Sequence, residues 1–399
     1  MRDFILTLLC AVLIADAAFA QPQPPDTLWT RTYGGIDSDR GCCAQQTTDG
    51  GYIIAGMTES YGAGGYDVYL IKTNALGDTI WTQTFGGSDD DYGNSVQQTI
   101  DGGYIIAGST NSFSSYGSRV YLIKTNDYGD TLWTKTFGED GFNSARSIQQ
   151  TSDGGYIVAG STNSYGLLYC DVYLIKTDAF GDTLWTKTFG GDYIDYGNSV
   201  QQTSDGGYII TGEALANVSG EQDVYLIKTD TYGDTLWTNT FGSDYEEEGI
   251  SVQQTSDGGY IIAGYTFNSF VWLWDVYLIR TDADGNEIWH QIFVEDDHNW
   301  GSCVKQTNDG GYIITSVTEA FGDDYGDVKV IKTDADGDTL WTKTIEEGGY
   351  GLSIQQTNDS GYIIGGHKFN SGYSDVILIR LDSEGTIVEG FPTPHPSSC

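Results

Sequence analysis

The sequence predicts an all-β protein, a seven-bladed β-propeller built from four-stranded blades. Three observations predict this fold: a motif that recurs about every 52 residues, a tryptophan with the same interval, and four short β segments in each repeat. A period of this length is typical of solenoids, propellers and arrays. The motif is Asp-Gly-Gly-Tyr, altered in its seventh copy, and its tyrosines are Tyr52, Tyr104, Tyr156, Tyr208, Tyr260, Tyr312 and Tyr362. The tryptophans are Trp29, Trp81, Trp133, Trp185, Trp237, Trp289 and Trp341.

Residues 197–241 illustrate the four predicted strands of one repeat. The third strand is apolar on both faces, as expected of a strand buried between two packed sheets. Four short strands, with each sheet between neighbouring sheets, predict a propeller blade, and an open β-solenoid is the alternative. The strands are rich in Val, Ile, Tyr, Thr and Trp, and they are Ser199 to Thr203, Tyr208 to Gly212, Asp223 to Thr229 and Thr235 to Phe241.

The two ends of the repeat region predict a closed ring. Residues 26–33 form a fourth strand without a preceding three, whereas the seventh copy has three strands and no tryptophan in its fourth. We therefore expect residues 26–33 to complete the last blade, which leaves only short sheet edges. The predicted single propeller domain covers residues 21–389, and the proline-rich residues 390–399 form a flexible tail.

Residues 1–20 have the pattern of a secretory signal peptide. Arg2 is followed by an apolar run from Phe4 to Ala15 and by the ending Ala18-Phe19-Ala20. The apolar run is too short to span a bilayer as a helix. We expect a mature chain from Gln21 that is secreted, periplasmic or at the cell surface, without membrane insertion.

The chain is strongly acidic. Without residues 1–20 it keeps 17 basic and 54 acidic residues, a net charge of about −37. This charge disfavours binding to nucleic-acid phosphates and to anionic membranes. It suits a soluble extracytoplasmic protein, expected to be a monomer, with cation binding as the alternative. Five cysteines remain, and their odd number and irregular placement predict no disulfide framework.

The seven copies differ mostly at one end of the predicted ring. The first-to-second and third-to-fourth turns are nearly invariant, whereas the second-to-third and fourth-to-first connections vary, as in Ser161 to Cys170 and Tyr265 to Trp274. Repeated turns are explained by backbone geometry, and varied loops on a rigid scaffold usually carry binding. We therefore expect function on the variable face, with drift without selection as the alternative.

Residues 331–341, Ile-Lys-Thr-Asp-Ala-Asp-Gly-Asp-Thr-Leu-Trp, resemble the tryptophan-docking repeat of quinoprotein-like propellers. The whole unit is similar to propeller repeats of exported bacterial and archaeal proteins, from residue 26 to about 388. The resemblance implies a scaffold or binding role more often than catalysis. The turn is one residue shorter than in that family, and neither the cofactor site nor the calcium ligands of quinoprotein dehydrogenases are recognisable.

Two third-to-fourth turns contain half of a calcium-loop pattern, Asp282 to Asn286 and Asp334 to Asp338. An EF-hand loop needs glycine at its sixth position and glutamate at its twelfth, whereas glycine is fourth here. Hairpin turns are the simpler interpretation. We expect no cofactor, with calcium as a secondary alternative.

Acidic clusters fall in the predicted variable connections. A solvated acidic rim is the simplest interpretation, and paired carboxylates that cleave glycosidic bonds are the alternative. The clusters are Asp89 to Asp91, Asp192 with Asp195, Glu246 to Glu248, Glu295 to Asp297, and Asp323 with Asp324.

Aromatic residues distinguish the fifth copy, whose variable connection alone contains tryptophan. Exposed rings in a polar rim suit stacking on sugars or contact with a protein partner, and local packing of a longer loop is the alternative. We expect Trp300 in the next fourth-to-first connection and Phe321 and Tyr325 in the next blade. The binding candidates are Phe270, Trp272, Trp274, Trp300, Phe321 and Tyr325.

These patterns favour a secreted, non-catalytic binding or scaffold module with a glycan or protein ligand on the variable face. One alternative is a carbohydrate-active propeller, either a glycan-binding protein or a glycoside hydrolase such as an endoglucanase-like enzyme. Another is a purely structural surface protein.

Overall fold

The computed structural model describes residues 27–164, 169–215, 222–243, 245–319, 326–346 and 348–383. Within these ranges, 28 strands form seven four-stranded antiparallel sheets, one per blade. The predicted seven-bladed propeller is therefore confirmed. No helix in the described ranges is long and apolar enough to cross a membrane. The predicted leader at 1–20 and tail at 390–399 lie outside the described residues.

In six blades the four strands follow one another along the chain from the axis outwards, and in the last blade β1 takes the outermost place. The first described strand is β1 (Thr27–Tyr33), and the first complete repeat is β2 (Asp39–Gln46), β3 (Tyr52–Thr58), β4 (Asp67–Thr73) and β5 (Thr79–Phe85). The next two blades are β6 (Asp91–Gln98), β7 (Tyr104–Thr110), β8 (Arg119–Thr125), β9 (Thr131–Phe137), β10 (Asn143–Gln150), β11 (Tyr156–Thr162), β12 (Asp171–Thr177) and β13 (Thr183–Phe189). Two more are β14 (Asp195–Gln202), β15 (Tyr208–Leu215), β16 (Gln222–Thr229), β17 (Thr235–Phe241), β18 (Glu247–Gln254), β19 (Tyr260–Asn268), β20 (Leu273–Thr281) and β21 (Glu287–Phe293). The last strands are β22 (His298–Gln306), β23 (Tyr312–Glu319), β24 (Asp327–Thr333), β25 (Thr339–Ile345), β26 (Gly349–Gln356), β27 (Tyr362–Asn370) and β28 (Tyr373–Leu381).

The ring closes as predicted, because β1 completes the last blade. The strand order in that sheet is β1-β28-β27-β26, and β1 is antiparallel to β28 with Thr30 opposite Ile379. The N-terminal strand thereby covers the edge of β28, so the last blade has the same four strands as the others.

The first strand of each blade begins earlier than predicted. In the fourth complete repeat it starts at Asp195 rather than Ser199, and its register shifts between Gly197 and Ser199. The same β-bulge occurs in all seven described blades. A bulge adds one residue that has no partner on the neighbouring strand, and the strand bends at that point. The polar residues before the bulge, which we had placed in a connection, are therefore part of the inner wall.

Hydrophobic side chains fill the space between adjacent blades. Val172 and Leu174 of β12 pack against the next blade, whereas Tyr173 and Ile175 pack against the preceding one. The third strand is thus buried on both faces, as its sequence predicts. Each blade needs both neighbours to bury its apolar surface, which is why the ring must close.

Each tryptophan of a fourth strand packs against the following blade. Trp185 lies edge-on to Tyr208, with ring centroids 5.8 Å apart, and the Trp185 ring covers Gly233. A Cβ at Gly233 would lie 2.7 Å from that ring, so only glycine fits. The same contact recurs at the other six junctions, which explains why tryptophan and glycine share one period.

The second glutamine of each Gln-Gln pair joins neighbouring blades. Its side-chain oxygen accepts a hydrogen bond from a backbone nitrogen in the preceding blade, for example from Ser152 to Gln202 at 2.8 Å. Across the ring junction, Asn358 donates the equivalent bond to Gln46 at 3.0 Å. The first strands contact one another around the axis. These glutamines therefore link neighbouring blades by hydrogen bonds near the axis, a role that the sequence pattern alone does not indicate.

Candidate functional site

The invariant turns on one face have a structural role. Asp205 accepts hydrogen bonds from the Thr203 hydroxyl, the Gly207 nitrogen and the Lys228 ammonium, at 2.5, 2.9 and 3.1 Å. Burial opposes ionisation of Asp205, but the bonds from Thr203 and Lys228 prevail and lower its pKa to about 2. An equivalent Asp–Lys or Asp–Arg pair is present in every described blade. We call this side of the ring the turn face.

The half calcium-loop patterns are hairpin turns, as we had interpreted them. The Asp334 carboxylate accepts backbone hydrogen bonds from Asp336 and Asp338 at 3.0 and 2.9 Å. The Asp282 carboxylate makes the same bonds with Asp284 and Asn286, at 2.9 and 2.8 Å. The first aspartate therefore closes its own turn.

The opposite face, the variable face, carries a hairpin with an aromatic tip. Strands β19 and β20 extend to Asn268 and Leu273, and residues 269–272 form the turn. Phe270 is 93% exposed and Trp272 is 73% exposed. Trp272 has a φ of +61°, a left-handed conformation that is uncommon for a bulky residue. The backbone nitrogen of Trp272 donates to the Asn268 oxygen at 2.8 Å, which holds the turn.

Four rings on this hairpin form an aromatic ridge, consisting of Tyr265, Phe267, Trp272 and Trp274. The centroid of Phe267 lies 6.0 Å from that of Trp272 and 5.0 Å from that of Trp274. Trp274 in turn lies 5.1 Å from Tyr265, nearly perpendicular to it. These separations are typical of favourable aromatic pairs. The ridge runs from the exposed tip towards the axis, and Trp274 belongs to its inner, half-buried part.

Trp300 lies in strand β22, so its predicted position in a connection was wrong. The strand extends past the bulge because Trp300 pairs with Val317 of β23. The Trp300 ring stacks on the His298 ring, with centroids 5.4 Å apart. The Nδ1 atom of His298 accepts a hydrogen bond from the backbone nitrogen of Trp274 at 3.3 Å. Trp300 is thus next to the aromatic ridge, on the same face as we had expected. The two remaining candidates, Phe321 and Tyr325, lie outside the described residues.

A cavity of about 720 Å³ occupies the axis at the variable face. We call it the mouth cavity. The bulge residue of every described blade lines this cavity, and in two blades the residue two places before the bulge, Trp300 or Tyr350, lines it as well. Its lining includes Arg146, Asn198, Tyr265, Trp300, Glu319 and Tyr350.

A charged cluster lies beside the mouth cavity. Glu248 pairs with Arg146 at 3.7 Å and accepts hydrogen bonds from the Asn198 amide, at 2.8 Å, and from the Tyr265 hydroxyl. Arg146 also donates to Asn198, and its guanidinium lies 5.4 Å from the centre of the Tyr196 ring. The cluster therefore has a defined geometry at the rim of the cavity.

Glu213 is a second carboxyl group close to Glu248. It is only 6% exposed. Burial first, and then repulsion from Glu248, raises the pKa of Glu213 to about 8. Glu213 therefore keeps its proton to a higher pH than an exposed carboxyl group does.

Several acidic residues that we had assigned to a solvated rim are buried. Asp91 and Glu247 lie inside strands, and each binds groups of its own loop or neighbouring strand: Asp91 accepts from Gly87 and Ser112, and Glu247 accepts from Thr266. Asp195 is also buried, which raises its pKa to about 6. The prediction of a solvated rim is wrong for these residues. The first strands begin earlier than predicted, so these residues belong to the strands and are buried. Asp323 and Asp324 lie outside the described residues.

The cysteines of the described part are free thiols: Cys42, Cys43, Cys170 and Cys303. Cys43 and Cys303 occupy equivalent positions, but the last blade lies between their blades. Both are free thiols, and Cys399 lies outside the described residues.

Comparison with known proteins shows the fold and no family. No family model matches the chain, and no curated protein matches it. The WD40 domain of Neurospora crassa Pan2 is 10% identical with a TM-score of 0.54, over 92% of this chain and 99% of that one. YCF48 bound to a D1 peptide is 10% identical with a TM-score of 0.53, over 92% and 100%. Puromycin hydrolase is 11% identical with a TM-score of 0.53, over 88% of this chain and 55% of that one.

The chain is a seven-bladed β-propeller. Identities this low show the fold alone. The resemblance to quinoprotein-like propellers and to exported repeat proteins therefore stays a prediction.

The sequence carries a signal for the mouth cavity in the first strand of each repeat. Within the otherwise repeated first strand, one position that changes from copy to copy lines the cavity in every described blade: Cys42, Asn94, Arg146, Asn198, Ile250, Ser302 and Leu352. Variation inside a constant strand marks a surface that packing does not determine.

Proposed function

We propose that this protein is a non-catalytic binding module that holds a protein partner on the aromatic tip of its variable face. The observation that carries this proposal is Trp272, a bulky residue in a left-handed conformation whose ring is 73% exposed. The Trp272 ring contacts Phe267 but stays largely exposed, and a left-handed conformation at a bulky residue is typical of functional sites.

The chemistry of the tip favours a protein partner over a sugar. Phe270, Val271 and Trp272 are consecutive and all exposed, so the tip is a convex apolar surface. Aromatic anchors of this kind commonly insert into a pocket of a partner protein. YCF48, a propeller of similar fold, is bound to a peptide, which supports the plausibility of this role.

The test compares a tip variant with a matched control on the turn face. The tip variant carries Phe270→Ser and Trp272→Gly. The control carries Phe180→Ser and Tyr232→Ser, which remove two rings that are 73% and 71% exposed in separate turns. Peptides selected on the wild-type protein from a random library are then measured for binding to all three proteins by biolayer interferometry.

We expect the tip variant to lose at least tenfold in affinity and the control to keep wild-type affinity. Glycine relieves the strain at position 272, so the tip variant should be at least as stable as the wild type. Loss of binding without loss of stability separates recognition from folding. Selected peptides that bind the tip variant as well as the wild type would refute the proposal.

A second candidate, glycan hydrolysis, is favoured by the pair Glu213 and Glu248. A glycosidase needs one protonated and one ionised carboxyl group, and the raised pKa of Glu213 provides the first. Trp300 in the mouth cavity would offer a sugar platform. The test is reducing-sugar release from a panel of polysaccharides by the wild type, Glu213→Gln and Glu248→Gln. We expect at least a hundredfold loss in both variants, and no release by the wild type contradicts this candidate.

The expectations on cofactor, export and oligomeric state belong to the same proposal. We propose that binding needs no metal, so a chelator should leave affinity for the selected peptides unchanged. We also propose that the protein is secreted as a monomer, and mass spectrometry of the native protein should show a chain that begins at Gln21.

A further inference from the structure

A ring of hydrogen-bond donors surrounds the axis on the turn-face side of the mouth cavity. It is formed by the first residue of each Gln-Gln pair and by the lysine that replaces it in one blade. These residues line a second axial cavity of about 600 Å³. The members of this donor ring are Gln45, Gln97, Gln149, Gln201, Gln253, Lys305 and Gln355.

The orientation of the six amides is determined by the backbone. Each side-chain oxygen accepts a hydrogen bond from the next blade, for example from Gln202 to Gln149 and from Gln254 to Gln201, both at 2.6 Å. The other four bonds are 2.6–2.9 Å long. A backbone N–H only donates, so it must face the amide oxygen. The amide nitrogen, with two N–H groups, is then left over for another partner.

Neither the six amide nitrogens nor the Lys305 ammonium has a partner among the described residues. The ring glutamines donate no side-chain hydrogen bond there, whereas the second glutamines do, as Gln202 does to Gly206 at 3.3 Å. Most basic side chains of the described part form ion pairs, but Lys305 forms none. These donors face the cavity and are not buried, so they are accessible to an acceptor ligand that enters it.

The local charge of this cavity is opposite to that of the whole chain. The protein has 56 acidic and 18 basic residues, yet the described residues that line this cavity include Lys305 and no carboxylate. Lys305 also lines the mouth cavity, where Glu319 is the carboxylate among the described lining residues. The repeated aspartates of the first turns are each paired with a lysine or arginine, as Asp205 is with Lys228 at 2.9 Å. More distant surface carboxylates are screened at physiological ionic strength, where the Debye length is about 8 Å.

We propose that the donor ring binds a small anion of the size of phosphate on the propeller axis. Its oxygens would accept hydrogen bonds from the amide N–H groups, and the Lys305 ammonium would provide the compensating charge. Because the amides also staple neighbouring blades, the anion would tie the blades together at the centre of the ring. This site is separate from the aromatic tip and does not depend on the proposed partner.

The most informative variant is Lys305→Gln, which the other repeats of the chain suggest. Glutamine occupies this position in the other six copies, so the substitution completes the ring and is expected to fold. Lys343→Gln, on the outermost strand of the same blade, is the matched control for loss of one positive charge. Isothermal titration with sodium phosphate is carried out on all three proteins at constant ionic strength and sodium concentration.

We expect one phosphate per chain for the wild type and for Lys343→Gln, and an affinity at least tenfold lower for Lys305→Gln. Repeating the titration with acetate and with chloride shows whether the site selects an oxyanion. A wild-type protein that binds none of the three anions would overturn the proposal. So would equal phosphate affinity in Lys305→Gln and the wild type, because the binding would then lie elsewhere.

Discussion

Trp29 lies edge-on to Tyr52, with ring centroids 5.8 Å apart, and this contact joins the last blade to the first. Gly77 lies under the same indole, where a Cβ would come within 2.9 Å of the ring. The contact has the geometry of the six other blade junctions. It differs in one respect, because Trp29 belongs to the N-terminal strand that closes the ring.

Trp29→Ala should weaken ring closure. The ring is only partly buried, so we expect a loss of roughly 2–3 kcal/mol in the free energy of unfolding, below the usual cost for a fully buried tryptophan. Urea denaturation followed by fluorescence measures the change. Leu28→Ala, at an exposed neighbouring position, is the control and should change stability by less than about 0.5 kcal/mol. Equal stability of Trp29→Ala and the wild type would contradict the closure mechanism.

Ser360→Gly should stabilise the protein. Ser360 has a φ of +68°, and glycine occupies the equivalent position in the other six first turns, as at Gly154 with a φ of +85°. An L-residue pays about 1 kcal/mol in this conformation, which glycine avoids. We expect a gain of about 0.5–1 kcal/mol for Ser360→Gly and a loss of similar size for Gly154→Ser. No heavy atom lies within 4 Å of a Cβ at Gly154, so contact with neighbours does not confuse the comparison.

Glu213 should make the stability of the protein fall as the pH rises. Its pKa is raised from 4.5 to about 8 on folding, mainly by burial. Between these values the folded protein keeps a proton that the unfolded chain has lost, so the free energy of unfolding declines from about pH 5 to pH 8. We expect Glu213→Gln to remove about 2–4 kcal/mol of this decline, at 1.36 kcal/mol per pKa unit. Denaturation at four pH values checks this, and parallel profiles for variant and wild type would contradict it.

His367 should have the opposite effect at lower pH. Burial first, and then repulsion from Arg40, lowers its pKa from 6.5 to about 4. Between pH 6.5 and 4 the unfolded chain binds a proton at His367 that the folded protein does not bind. The free energy of unfolding therefore falls as the pH falls through this range. His367→Phe, which suits the neighbouring Tyr350 and Phe369 rings, should remove about 2–3 kcal/mol of this loss. Above pH 7 the difference between variant and wild type should be constant, and a pH-independent difference throughout would show that His367 does not titrate.

The fold was predictable because each blade repeats the same local signals. Apolar third strands, glycines in both turns and the tryptophan at a constant interval all indicate the same blade, and agreement between levels of this kind specifies a structure well. The site was less predictable. The hairpin with Phe270 and Trp272 was recognised because tryptophan is unusual in that connection, but Trp300 and Glu248 were placed in connections although they lie in strands. A β-bulge leaves no clear pattern in a short strand, so the start of each first strand was missed.

The sequence by itself determined the number of blades, the closure by a strand within residues 26–33 and the division into an invariant and a variable face, because these depend on periodicity and local turn chemistry. Only the tertiary structure decided what meets at the axis. It brings Arg146, Glu213 and Glu248 together from three blades, and it aligns six glutamines and Lys305 around one cavity. Such groups are far apart along the chain, and the packing of neighbouring blades together with ring closure sets the distances between them.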